Sequence, residues 1–184
     1  MMSMVLQVFL LIGLGIAQIS FLSTWPAPVN TVDVLLSLVI FITVLISYHR
    51  GLWWGFGAGV FLELFSSLPF GVTTLSMLFM VIMVNFLFKN FFTNRSFYSL
   101  LLLGYFGTAC FNACSLGLHF LTVVILPSVQ GLPTIDFALL FFWEPVFNLV
   151  VLGVIFFTYH VSMGRFKSIF LLTHDSHETY RTHR

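Results

Sequence analysis

The sequence predicts an all-α polytopic membrane protein with six transmembrane helices and both the N and C termini in the cytoplasm. Three observations predict it. Of 184 residues, 59% are hydrophobic and only 7% are charged, whereas a soluble domain carries about 25% charged residues. Six apolar runs can be laid along the chain. With six spans in place, every Lys and Arg falls on one side of the membrane.

A spanning helix needs about 20 mostly apolar residues. The runs that meet this need are residues 4–22, 32–48, 51–68, 71–88 and 97–126, with a sixth inside 135–163. The first has no basic residue before it and no small-residue cleavage site after it. It reads as a retained helix and not as a cleaved signal peptide. The fifth is longer than one span requires, so it is expected to tilt, project from the bilayer, or break near residues 112–117. In the sixth, Pro145 belongs in a first helical turn and not in an interior. The spanning part is therefore expected to start at Glu144–Pro145 and end near Met163, with residues 133–143 as a short outer segment or an extra turn. Residues 1–163 form the transmembrane domain, and 164–184 a short polar cytoplasmic tail.

Charge sets the orientation, because short cytoplasmic loops carry the excess of Lys and Arg. Arg50 lies between helices two and three, and Lys89 and Arg95 between four and five. Arg165, Lys167, Arg181 and Arg184 follow helix six. The other connections, 23–31, 69–70 and 127–134, contain no basic residue. An odd helix count would place the C-terminal four opposite the other three. Trp25 and Trp143 fall at the outer interface, and Tyr48, Trp53 and Trp54 at the inner one, where amphipathic rings settle. The net charge of +1 gives no reason to expect a nucleic-acid partner.

The most informative stretch is 51–71. Gly51, Gly55, Gly59 and Glu63 recur every four residues, so in a helix they share one slowly drifting stripe. Small residues let a neighbouring helix approach closely. The stripe thus serves either packing inside the bundle or contact with a partner. Glu63 is costly in lipid, so it is expected to face a partner helix or a polar cavity, or to reach water at the outer end. Pro69 and Gly71 close the stretch as a short turn.

These residues, Gly55, Gly59, Glu63, Pro69 and Gly71, resemble the pattern of the rod shape-determining protein MreD family of bacteria. That pattern is a glycine-rich helix leading to an acidic residue, then a turn with proline and glycine. The flanks agree. An outer loop with Pro26 and Pro28 precedes the helix that begins near Asp33, and a basic turn, His49-Arg50-Gly51, precedes the glycine-rich helix. The family more often has Asp where this chain has Glu63, a change of length that keeps the charge. The resemblance covers residues 25–90. It implies a non-catalytic inner-membrane component of the cell-elongation machinery, acting in cell shape and peptidoglycan synthesis without a cofactor. Its implied partners are MreC, the glycosyltransferase RodA and a penicillin-binding transpeptidase, besides membrane lipids.

The remaining intramembrane polar residues are few. Asp33 stands at a helix start, where the helix dipole favours it. Asp136 follows Thr134, a candidate N-cap, and Glu144 precedes Pro145. All three read as helix caps, or as an acidic outer rim for a partner. Asn112 and Asn148 are expected to make interhelical hydrogen bonds worth about 1 kcal/mol each. Cys110 and Cys114 share a face but lack further metal ligands, and free Cys packs as a small apolar residue. Ser115 and His119 are four apart, with no acidic orienter in the sequence nearby. Histidines 174, 177 and 183 in the tail define no metal site. No phosphate-binding loop or HExxH motif occurs, which argues against an enzyme.

A second function class stays open. The resembled family is similar in architecture to the six-helix substrate-binding subunits of vitamin transporters. Gly13 and Ala17 form a small-xxx-small pair able to dock another subunit. A ligand pocket needs several convergent polar groups, here Asp33, Glu63, Asn112 and Glu144, and a sequence does not display convergence.

Overall fold

The computed structural model describes residues 4–21, 31–66, 68–91, 97–125 and 139–174, with side chains placed within residues 7–161. The described chain is helical: α1 (Met4–Phe21), α2 (Val34–Phe41), α3 (Tyr48–Glu63), α4 (Val72–Phe91), α5 (Phe97–Ile125) and α6 (Glu144–His174). A π-helical turn, Ile42–Ile46, extends α2, and another, Leu139–Trp143, leads into α6. Among the described residues three segments are long and apolar enough to cross a membrane: Val72–Phe91, Phe97–Ile125 and Phe141–Val161. The shorter helices Gln7–Phe21 and Val34–Ile46 are also apolar. Such helices fit a membrane protein.

The centre of the bundle is α2, which contacts each of the five other helices. Its residues Leu35, Leu36, Ser37, Val39, Ile40 and Phe41 are all buried. A helix that is apolar all round belongs in such an interior. Around it pack Met77, Met80, Val81 and Val84 of α4, Leu100 and Leu103 of α5, and Leu152 of α6. Asp33 starts α2: its backbone is extended and its carboxylate accepts a hydrogen bond from the Leu36 N–H at 3.0 Å. Such a cap satisfies one of the four orphan donors of a helix start.

Several boundaries differ from the sequence expectation. Helix α3 begins at Tyr48, three residues early, because Ser47 alone separates it from the π-turn. Ser47 is extended (φ −170°, ψ 141°). Its N–H reaches back to the Ile42 carbonyl at 3.0 Å, and its own carbonyl accepts from the Gly51 N–H at 2.9 Å. Helix α3 ends at Glu63, well before residue 68, where a tight turn takes over: the Phe65 N–H donates to the Leu62 carbonyl and the Ser66 N–H to the Glu63 carbonyl. Helix α5 is continuous through residues 112–117; no proline interrupts the backbone ladder there. Pro145 takes the second position of α6, in its first turn, as expected. The helix then runs on past residue 163 to His174. At 1.5 Å per residue, α6 is about 46 Å long and α5 about 43 Å, so both exceed the ~30 Å hydrocarbon core.

Candidate functional site

Two polar constellations stand out from the apolar bundle. The first joins α3 to α4. The glycines of α3 are spacers for close approach. A Cβ on Gly59 would lie 2.8 Å from Cα of Thr74, and one on Gly55 would lie 3.0 Å from a Val81 methyl. Gly51 serves the α2 side, where a Cβ would collide with the Thr43 side chain. Thr43 is itself held by donating to the Val39 carbonyl at 2.7 Å. With Gly51, Gly55 and Gly59 all buried, the stripe is occupied within the chain.

Glu63 closes this hairpin. It is buried, and its carboxylate is wrapped by the N-terminus of α4. Oε1 accepts from the Gly71 N–H at 2.6 Å and the Thr73 N–H at 3.2 Å, and Oε2 accepts from the Thr74 hydroxyl at 2.5 Å. Helix N-termini present orphan N–H groups and a partial positive charge, so a carboxylate is a fitting guest. Gly71 makes the geometry possible. Its φ of +100° is a region that side chains rarely adopt, and it turns its N–H toward Glu63. Pro69 adds the preceding corner, its carbonyl accepting from the Val72 N–H at 3.3 Å. The family-like residues of 51–71 thus form one interlocked unit.

The second constellation gathers polar groups from four helices. The Asp33 carboxylate accepts from Gln18 Nε2 of α1 at 3.0 Å. Gln18 Oε1 in turn accepts from the Leu35 N–H at 2.9 Å, so one amide bridges the start of α2. From α6, Asn148 Oδ1 accepts from the Asp33 N–H at 2.8 Å, and the Asn148 carbonyl accepts from the Ser37 hydroxyl at 3.3 Å. One turn before Asn148, buried Glu144 is hydrogen-bonded to Asn112 of α5 and lies close enough to Asp33 for their charges to interact. Two carboxyl groups and three amides therefore share one region at the start of α2 and α6. The Asn148 amide nitrogen is buried there with no partner among the described residues.

Of the acidic rim residues, Asp33 and Glu144 are brought together, and Asp136 lies outside the described residues. Glu63 belongs to the separate α3–α4 unit. Asn112 and Asn148 make interhelical bonds. Gln18 and Ser37 escaped sequence reasoning, although an amide inside an apolar run was a readable signal for Gln18. Ser115 is half-buried and His119 buried, with His119 Nδ1 unpartnered among the described residues. Cys110 and Cys114 are free thiols. Asn148→Ala removes the acceptor for the Asp33 N–H and is expected to cost about 1 kcal/mol. Steric-trap or denaturant unfolding in detergent measures it; no change would mean that Asp33 finds an equivalent acceptor.

The described residues form a helical bundle that fits a membrane protein, with a glycine-packed, carboxylate-capped hairpin and a second polar cluster between helices. Compared with known proteins, the chain matches no family model, no curated relative and no solved structure.

Proposed function

We propose that this chain is a non-catalytic scaffold of the bacterial cell-elongation machinery, of the MreD kind, set in the inner membrane with six spans and both ends in the cytoplasm. The observation that carries the reading is the 51–71 motif. The residues that resemble the family pattern, Gly55, Gly59, Glu63, Pro69 and Gly71, each have a defined task in one α3–α4 unit. The distribution of all seven basic residues supports the orientation. Because the glycine stripe and Glu63 are consumed inside the chain, partners such as MreC, RodA and the transpeptidase meet other surfaces, and helix and loop contacts with them constitute the activity. The test is a crosslinked pull-down of the tagged protein from native membranes. Recovery of MreC or RodA supports the scaffold. Recovery of transporter ATPase subunits in their place overturns it, as does unchanged shape after gene deletion in a rod-shaped host lacking a paralogue.

A second reading, a small-molecule-binding subunit of a transporter, is favoured by one observation: Asp33, Asn112 and Glu144 converge with Gln18 and Asn148. Convergent polar groups in an apolar setting are what a ligand site requires. Native mass spectrometry distinguishes the readings: a stoichiometric vitamin-like ligand, lost in Asp33→Ala, selects the second.

A further inference from the structure

We propose that the polar cluster at the starts of α2 and α6 binds a small organic cation: a primary ammonium with a neutral oxygen a few bonds away, as in an amino alcohol. The inference rests on the second reading above, in which this cluster is a ligand site, and adds the class of ligand.

The cluster has a closed floor and a more open mouth. Glu144, Asn112 and Asn148 are buried, whereas Asp33 and Gln18 are half-buried. The hydrogen bonds inside it show which groups are already spent. The Gln18 amide is used at both ends, by Asp33 and by the Leu35 N–H. Gln18 and the Leu36 N–H both donate to Oδ1 of Asp33, so Oδ2 takes neither. Asn112 is bonded to Glu144. Asn148 Oδ1 accepts from the Asp33 N–H, which fixes the amide with Nδ2 as a donor. That nitrogen is buried without a partner among the described residues, on a side chain only 3% exposed. Buried donors in native structures are nearly always paired, so an acceptor belongs beside it.

Charge sets the second requirement. Asp33 and Glu144 lie close enough for their charges to interact, and carboxylates in an apolar setting call for a counter-charge. The described Lys and Arg side chains do not supply it. Helix α3 runs antiparallel to both neighbours: Gly51 faces Thr43 and Gly55 faces Val39 of α2, while Gly59 faces Thr74 and Gly55 faces Val81 of α4. Arg50, at the start of α3, and Lys89, in the last turn of α4, therefore stand at the end of the bundle away from Asp33. His119 lies on α5 two turns past Asn112, about 10 Å along the helix. A proton or a bare metal ion would answer the charge but would offer Asn148 no acceptor. Among the described residues no group of His, Cys, Asp and Glu is placed to hold a metal. A ligand carboxylate would answer Asn148 but would add a third negative charge. A cation that carries its own neutral oxygen meets both needs. Its ammonium sits between Asp33 Oδ2 and Glu144, and its oxygen accepts from Asn148 Nδ2. A free amine and the headgroup of an aminophospholipid share this chemistry.

The test is isothermal titration calorimetry of the full chain in uncharged detergent micelles. Ethanolamine is expected to bind saturably. n-Propylamine, of the same size and charge without the oxygen, is expected to bind about fivefold more weakly, as one hydrogen bond implies. Ethylene glycol, which lacks the charge, is expected not to bind. Asp33→Asn and Glu144→Gln keep the side-chain shapes, and each is expected to weaken ethanolamine binding by about thirtyfold or more. Glu63→Gln, outside the cluster, should leave it unchanged. No saturable ethanolamine binding by the parent overturns the proposal. So does equal binding of ethanolamine and n-propylamine, or binding that survives both cluster variants. Should a variant fail to elute as a helical, monodisperse species, the parent's preference between the two amines decides alone. Native mass spectrometry separates this failure from that of the second reading. A ligand without an amine, lost in Asp33→Ala, rejects the class and keeps the site; no ligand of any kind, with no ethanolamine binding, rejects both. Titration in nanodiscs names the source. Ethanolamine binding in phosphatidylglycerol but not in phosphatidylethanolamine assigns the ammonium to a lipid headgroup, and binding in both assigns it to a free amine.

Discussion

Glu63→Ala is expected to lower the stability of the protein by about 3 kcal/mol. The substitution strips the acceptor from two backbone N–H groups and one hydroxyl at the start of α4. Hydrogen bonds to a charged group contribute about 1.5–3 kcal/mol each, and buried donors left without a partner retain their full desolvation cost. Losses within one cluster do not add fully, so the expected total stays near the cost of one to two such bonds. Glu63→Gln should recover at least half of it. Its carbonyl oxygen still accepts from Gly71 and Thr73, and its amide nitrogen donates to the Thr74 hydroxyl, though the favourable charge at the helix N-terminus is gone. The measurement is reversible unfolding in mixed micelles, followed by tryptophan fluorescence. An alanine variant within about 1 kcal/mol of the parent would show that the α4 terminus is satisfied by water, and that Glu63 is free for another role.

Gly59→Leu is expected to be as damaging, for a steric reason. The atom its Cβ would strike is Cα of Thr74 at 2.8 Å, which is backbone and cannot rotate aside. Either α3 and α4 separate or both bend, and overpacking of this kind costs about 1–3 kcal/mol, with leucine toward the upper limit. Separation also pulls Glu63 away from Gly71 and Thr74, which couples this effect to the first. Gly13→Leu is the matched control. Gly13 is exposed, with nothing within 4 Å of a Cβ, so the change should stay within about 0.5 kcal/mol. Equal tolerance at positions 59 and 13 would mean that α3 and α4 do not approach as closely as described.

Much of the hairpin was legible because its information is local. A glycine every fourth residue states its own face, and Glu63 lies one turn beyond the last of them. What the sequence left open was the destination of the carboxylate, and that too was near: its partners are eight, ten and eleven residues downstream. Pro145 likewise marked the start of α6 by a backbone constraint that needs no neighbour. The second polar cluster was opaque because it is non-local. Gln18 and Asp33 are 15 residues apart, and Asp33 and Asn148 are 115 apart. Nothing in a single chain of apolar runs states which helices stand side by side. The central place of α2 was nearer to view: Leu35 to Val44 offers no polar face beyond Ser37 and Thr43, and a helix apolar all round is an interior helix. The end of α3 was misplaced because Leu64 and Phe65 carry the apolar run past Glu63, and hydropathy alone does not register a turn.

The unequal reach of the two clusters bears on how the chain is made. A ribosome adds about 5–20 residues per second. Glu63 therefore meets its α4 partners within seconds of synthesis, and the hairpin can close as an early unit. The Asp33 N–H, by contrast, waits for Asn148 while α3, α4 and α5 are all synthesised. Until α6 is made, the central helix has only part of its packing, and its N-terminal end has the cap from its own Asp33 and the amide of Gln18 on α1. The contacts that close the centre of the bundle are thus the last ones the growing chain supplies.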